Sequence, residues 1–220
     1  LFVQITAGMG RSWAIPTPLV MLHNAPLVRD IAKPIINVPY QSASPSELPS
    51  RWSDKVKCRA MTVKEIDEIV DAFAKTAALC KEAGVDGVEV HAVHEGYLLD
   101  QFTLKYTNKR TDEYGGSFEN RYRFATDIVK AIKNVCGKDY PVSLRYSVQS
   151  KVKDFCVGAL PGEEYTEIGR DMEESEKAAK YLEDAGYDML NADNGTYDSW
   201  YWAHPPMYMP QNCNLEDVAH

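Results

Sequence analysis

His91, His94 and Tyr97 follow one another at intervals of three residues. An imidazole N–H donates to a carbonyl or carboxylate oxygen, and a phenol donates a proton. Two imidazoles at one oxygen would polarise it, as oxyanion-binding donors do. The pair also has plainer readings. A lone histidine packs as a hydrogen-bonded core residue, and two histidines share a metal when a third ligand stands near. Only Glu95 offers itself as that ligand, and it points elsewhere if the strand continues, so no metal is expected.

Arg145 is the second marked residue. It sits mid-run in Pro141-Val142-Ser143-Leu144-Arg145-Tyr146. A buried charge there is costly without a partner. An internal carboxylate would satisfy it, and so would an electron-rich cofactor. Gln4, in the opening run Leu1-Phe2-Val3-Gln4-Ile5, and the segment Asn191-Ala192-Asp193-Asn194-Gly195 contribute amides.

These residues need elements to position them. Thr62 and Glu65 form a capping box, followed by Ile66, Ile69, Val70, Phe73, Ala77 and Cys80 at helical spacing. Gly84 stops that helix, and a β-rich run leads to His91. A second helix is expected from Ser117 to about Cys136, with Phe124, Ile128, Val129, Ile132 and Val135 on its buried face. Asp171 caps a third, bearing Met172, Ser175, Ala179, Leu182 and Ala185, and Gly186 ends it. Ala83-Gly84-Val85-Asp86 and Ala185-Gly186-Tyr187-Asp188 share one grammar: helix, Ala-Gly, one residue, Asp, strand.

Strands are therefore expected at about 1–6, 86–91, 141–147 and 187–192, alternating with helices. Alternation implies parallel pairing. Long excursions follow the strand ends, at 34–53, 95–116 and 147–170. Chemistry in α/β folds is built at that end of the sheet. The charged run from Thr107 to Arg121 reads as a loop locked by Arg–carboxylate bonds.

Composition narrows the classes. The 220 residues are 45% hydrophobic and 25% charged, ordinary for a folded domain. Lys+Arg 24 against Asp+Glu 32 leaves a formal charge of −8, which argues against nucleic acid or an anionic membrane as partner. No apolar run is long enough to span a membrane, and no signal segment is visible. Cys58, Cys80, Cys136, Cys156 and Cys213 are an odd, scattered set, read as reduced thiols of a cytoplasmic protein. There is no GxGxxG after a strand and no GxxxxGK[ST], so Rossmann and P-loop readings lose their main support.

The segments Asp86-Gly87-Val88-Glu89-Val90-His91, Gly96-Tyr97-Leu98-Leu99-Asp100-Gln101-Phe102 and Asn108 through Arg121 occur in that order. In this the chain resembles the old yellow enzyme family of flavin-dependent ene-reductases. The stretch around His91–Tyr97 and the tail from Tyr197 to Pro206 are most similar to its enoate reductase and 2,4-dienoyl-CoA reductase branch. Glu95 is an extra residue relative to the commoner pattern, and the loop after Gln4 is one residue longer and lacks a histidine.

The resemblance implies an α/β fold, a (β/α)8 TIM barrel with FMN at the carboxyl ends of the strands. The four strands would be about the third to sixth of eight. Residues 1–220, opening on Leu1 rather than Met, are thus expected to be the central part of a single FMN-binding domain, without its N- and C-terminal barrel strands. By resemblance, Gln4 would bond the flavin pyrimidine ring and Arg145 would sit by its N1 and O2. His91 and His94 would hold the oxygen of an α,β-unsaturated carboxylate or thioester. Tyr97 would protonate the α carbon. NADH would be the donor, with an iron–sulfur cluster and FAD in regions outside this chain. Small-molecule partners are expected, and an oligomer is left open. Trp200, Tyr201, Trp202 and His204 would line the pocket or pack as a lid. The rivals are an amine-dehydrogenase-like FMN barrel and a non-catalytic barrel fragment.

Overall fold

The computed structural model describes residues 1–94 and 96–203. In chain order the first elements are β1 (Phe2–Thr6), α1 (Thr17–His23), α2 (Pro26–Ala32), α3 (Val38–Gln41), β2 (Leu48–Ser50) and β3 (Ser53–Cys58). The middle holds α4 (Val63–Glu82), β4 (Gly87–Val93), α5 (Leu98–Thr103), α6 (Phe118–Cys136) and β5 (Val142–Ser147). Then come β6 (Val152–Asp154), β7 (Val157–Gly158), α7 (Met172–Ala185), β8 (Met189–Asp193) and α8 (Trp200–Ala203).

β1, β4, β5 and β8 form one sheet in that order, and every pair is parallel. These are the four strands expected from sequence, within two residues at each end. α4, α6 and α7 are the crossovers, which makes the unit a run of consecutive βα repeats, a partial TIM barrel.

The helices begin and end where their caps dictate. Thr62 Oγ1 accepts from the Glu65 N–H at 3.2 Å, and Glu65 accepts from the Thr62 N–H at 2.9 Å. Ser117 and Asp171 cap α6 and α7 by accepting from Asn120 and Glu174 N–H groups. Gly84 takes a φ of +80°, which a side chain would resist.

One sheet face is apolar. Val88, Val90, Val142 and Leu144 are fully buried there against Ile66, Phe73, Ala77, Phe124, Ile128 and Ile132 of the helices. Val135 departs from expectation: it is 57% exposed, at the solvent edge of the α6 stripe. Ala178, rather than Ala179, is the fully buried alanine of α7.

The excursions are built structures rather than open loops. The first contains α3 and runs into the antiparallel pair β2–β3, and the last contains the pair β6–β7. The 95–116 stretch includes α5, whose six residues are all buried. Asp100 of α5 pairs with Arg170 at 2.6 Å, and both side chains are fully buried. Arg170 also donates to Tyr122 Oη, the Ser147 carbonyl and Thr103 Oγ1, so each nitrogen of the buried guanidinium has a partner. Arg110 grips Asp112 through two bonds and also donates to the Pro45 and Met61 carbonyls, the locked-loop role expected of this charged run.

Cys58, Cys80, Cys136 and Cys156 form no disulfides; Cys213 lies outside the described residues. No described helix is long and apolar enough to cross a membrane.

Candidate active site

Laterally paired residues of a parallel sheet face the same way. The register therefore sets two polar rows on the face opposite the helices. Gln4, Glu89 and Ser143 make one. Thr6, His91, Arg145 and Asn191 make the next, nearer the carboxyl ends. Gln4 and Arg145, on different strands, flank the histidine strand on one open face.

Regular alternation would send His91 and His94 to opposite faces. The structure avoids this with a bulge. His91 pairs with Arg145, but Val93 pairs with Tyr146, so Ala92 is an extra residue. Its φ is +137°, a conformation that costs a residue with a side chain about 1–3 kcal/mol. One inserted residue reverses the alternation beyond it. The imidazole centroids of His91 and His94 consequently lie 4.4 Å apart. Tyr97, N-terminal to α5, closes the cluster at 4.5 Å from His91 and 5.3 Å from His94. All three expected catalytic residues are thus brought together.

Charges surround them. Arg145 Nη2 donates to Asp193 Oδ2 at 2.8 Å. That carboxylate is the internal partner foreseen as one of two explanations for Arg145. The guanidinium is also less buried than its apolar neighbours implied, with 31% of the side chain exposed. His94 is 1% exposed and its Nδ1 stands 3.7 Å from the same Asp193 oxygen. Burial, and then the Arg145 charge, hold the His91 pKa below the usual histidine value; Glu89 and Asp193 oppose the shift. Gln4 donates to Glu89 Oε1 at 2.5 Å. Glu89 Oε2 accepts from Ser143 Oγ at 3.1 Å and from Asn191 Nδ2 at 3.0 Å.

Glu89, Asp193 and Tyr197 were not singled out from sequence. Glu89 lies two residues before His91 and Asp193 two after Asn191, so strand alternation alone could have placed both on the polar face. Tyr197 lies in the aromatic tail, and its hydroxyl donates to the Tyr97 oxygen at 3.0 Å. Trp202 is packed, 9% exposed with Nε1 bonded to the Ala159 carbonyl at 2.7 Å. Trp200 is 44% exposed. His204 and the extra residue Glu95 lie outside the described residues. Among those described, no three His, Cys, Asp or Glu side chains are grouped to hold a metal.

The donor set fits FMN on its chemistry. A flavin pyrimidine ring presents carbonyl acceptors, one N–H donor and an N1 that becomes negative on reduction. The Gln4 side chain carries both an acceptor oxygen and an NH2 donor, and Glu89 accepts from that nitrogen. Arg145 supplies a permanent cation on the same face.

The imidazole–phenol cluster and the guanidinium beside it stand at the carboxyl end of a parallel βα sheet, the end at which barrel enzymes build their sites. Residues 22–183 match the NADH:flavin oxidoreductase / NADH oxidase family, and the chain belongs to that family, the old yellow enzymes. It is 51% identical over 215 residues to the cinnamate reductase of Clostridium sporogenes, covering 98% of this chain and 29% of that protein. Among solved structures it is similar to a 2-naphthoyl-CoA reductase bound to 2-naphthoyl-CoA, with a TM-score of 0.60 and 33% identity, over 71% of this chain and 22% of that one. It is also similar to the old yellow enzyme homologue from Zymomonas mobilis, with a TM-score of 0.53 and 28% identity, over 70% of this chain and 42% of that one. The chain thus spans less than a third of the cinnamate reductase it matches.

Proposed function

We propose that residues 1–220 are the central part of an FMN-binding barrel that reduces the activated C=C bond of an α,β-unsaturated carboxylate or thioester. The observation that carries this reading is the bulge-set triad. Two imidazoles and one phenol converge on the face that bears Gln4 and Arg145. Similarity to a cinnamate reductase supports an aryl-acrylate as the substrate.

Each residue has a defined task. His91 and His94 donate to the substrate oxygen and draw electron density from the double bond. The lowered pKa keeps His91 neutral at neutral pH, a single N–H donor. Tyr97 gives a proton to the α carbon. Gln4 and Arg145 hold the pyrimidine end of FMN, which when bound supplies the hydride for the β carbon. NADH is the proposed electron donor, with an iron–sulfur cluster and FAD outside this chain as the proposed carriers.

The reading predicts that purified full-length protein is yellow and bleaches when NADH is added without oxygen. A colourless protein free of flavin would contradict it. An amine-dehydrogenase-like reading makes less use of paired donors at one substrate oxygen, and a substrate screen separates the two.

A further inference from the structure

The Tyr97 hydroxyl has a second tyrosine behind it. Tyr197 Oη donates to Tyr97 Oη at 3.0 Å, across a separation of 100 residues, with ring centroids 5.5 Å apart. Tyr197 is 8% exposed. Its ring stacks on Trp200 at 4.8 Å and 13°, and meets Trp52 edge-on at 6.0 Å. Its carbonyl accepts from Arg51 Nη2 at 3.3 Å.

The turn that carries Tyr197 is anchored by three side chains from two other strand-to-helix excursions. The next residue, Asp198, is held by Arg51 at 2.5 Å, Arg11 at 3.3 Å and Tyr106 Oη at 3.1 Å. Those partners come from the segments after β1, between β2 and β3, and after α5. Thr196 Oγ1 also accepts from the Asp198 N–H at 3.1 Å. A hydroxyl fixed this firmly keeps its direction.

We propose that Tyr197 is a positioning residue for proton transfer, completing Tyr97 as the acid. The proposal rests on the reading of Tyr97 as proton donor. By donating to the Tyr97 oxygen, Tyr197 fills one of its lone pairs and leaves the Tyr97 proton turned elsewhere, toward the substrate side. In the step itself a C–H bond forms at the α carbon and the Tyr97 O–H bond breaks, leaving a phenolate. The Tyr197 bond then becomes charge-assisted, and roughly twice as strong as a neutral one. The gain appears only as the proton leaves, so it lowers the barrier rather than tightening substrate binding. Tyr197 next passes its own proton to Tyr97 and regains one from water, which closes the proton balance.

The test compares wild-type and Tyr197→Phe full-length protein with cinnamate and with an aryl nitroalkene. The nitroalkene yields a nitronate, an anion stable in water, so its reduction needs no acid. With cinnamate, Tyr197→Phe is expected to lower kcat about tenfold or more, the loss of a hydrogen bond to a charged group. KM should stay within about twofold, as expected for an interaction made only in the transition state. The solvent deuterium isotope effect should rise, and the nitroalkene rate should stay at the wild-type value. Tyr197→His, which keeps a ring and an N–H donor, should recover part of the cinnamate rate. If Tyr197→Phe does not fold, the cinnamate-to-nitroalkene rate ratio of Tyr197→His decides: a lowered ratio supports the role and a wild-type ratio overturns it. An unchanged kcat and isotope effect in Tyr197→Phe, or an equal fall with both substrates, would overturn the proposal. Failure of the underlying reading looks different: wild type would reduce no enoate, or Tyr97→Phe would keep full rate.

Discussion

Asp193 Oδ2 lies 2.8 Å from Arg145 Nη2 and 3.7 Å from His94 Nδ1. One carboxylate oxygen therefore stands between the cation assigned to the flavin and the imidazole assigned to the substrate. Removing its charge leaves the guanidinium uncompensated, and a nearby cation favours the negatively charged reduced ring. In full-length protein, Asp193→Asn is expected to raise the flavin midpoint potential and Arg145→Met to lower it. Redox titration against reference dyes measures both. Equal potentials in all three proteins would show that this pair does not act on the flavin.

The paired imidazoles should act on one oxygen together. Losing a single oxyanion donor typically costs about a hundredfold in kcat or more. The double variant His91→Ala, His94→Ala is expected to fall at least about that far in kcat/KM, with KM raised and kcat lowered. Steady-state kinetics on an enoate decide it. A double variant within about threefold of wild type would remove the histidines from the mechanism.

His91 also links the site to pH. Its folded pKa lies below the ordinary value because burial and Arg145 disfavour the imidazolium. The unfolded value is about 6.5. The stability tied to neutral His91 is therefore fully present above pH about 6.5, and is lost as pH falls from there through the folded pKa. Denaturant melts should show wild type losing more stability than His91→Gln over that acid window, with the difference constant above it. Parallel pH curves for the two proteins would contradict the assignment.

Much of this arrangement was legible in the sequence. The Thr62–Glu65 capping box, the Ser117 and Asp171 caps and the repeated Ala-Gly-x-Asp grammar marked three helices and the strands between them. Caps and apolar stripes are local signals, and local signals survive without tertiary context. Other features were not legible because they depend on distant partners. α5 has only six residues, and its charge at Asp100 is neutralised by Arg170, 70 residues away. Val135 falls on an apolar stripe, yet the α6 packing leaves it in solvent. Most telling is Ala92. Nothing in Val90-His91-Ala92-Val93-His94 announces an inserted residue, and strict alternation would have separated the two histidines.

That bulge makes its own prediction. Ala92 is fully buried with φ at +137°. Ala92→Gly removes the side-chain strain of about 1–3 kcal/mol at an entropic cost of about 0.5–1 kcal/mol, so stability should hold or rise by up to about 2 kcal/mol, with the histidine pair intact. Ala92→Val adds volume at a strained, packed position and should destabilise by about 1–3 kcal/mol. It should also weaken enoate binding, because relaxing the bulge turns His94 away from His91. Thermal melts and ligand titrations test both. A Val variant as stable and as tight-binding as wild type would contradict the bulge.

The central claim is that this site delivers hydride and proton to the two carbons of an enoate double bond. The direct measurement is anaerobic: full-length protein is reduced with NADH, mixed with cinnamate in deuterated water, and followed at the flavin absorbance. The account predicts that the absorbance returns in one turnover. It also predicts that the saturated acid carries its solvent deuterium at the α carbon, where Tyr97 placed it. Reduced flavin that stays bleached with cinnamate and every other enoate or thioester tried, or product with no solvent deuterium at the α carbon, would contradict it.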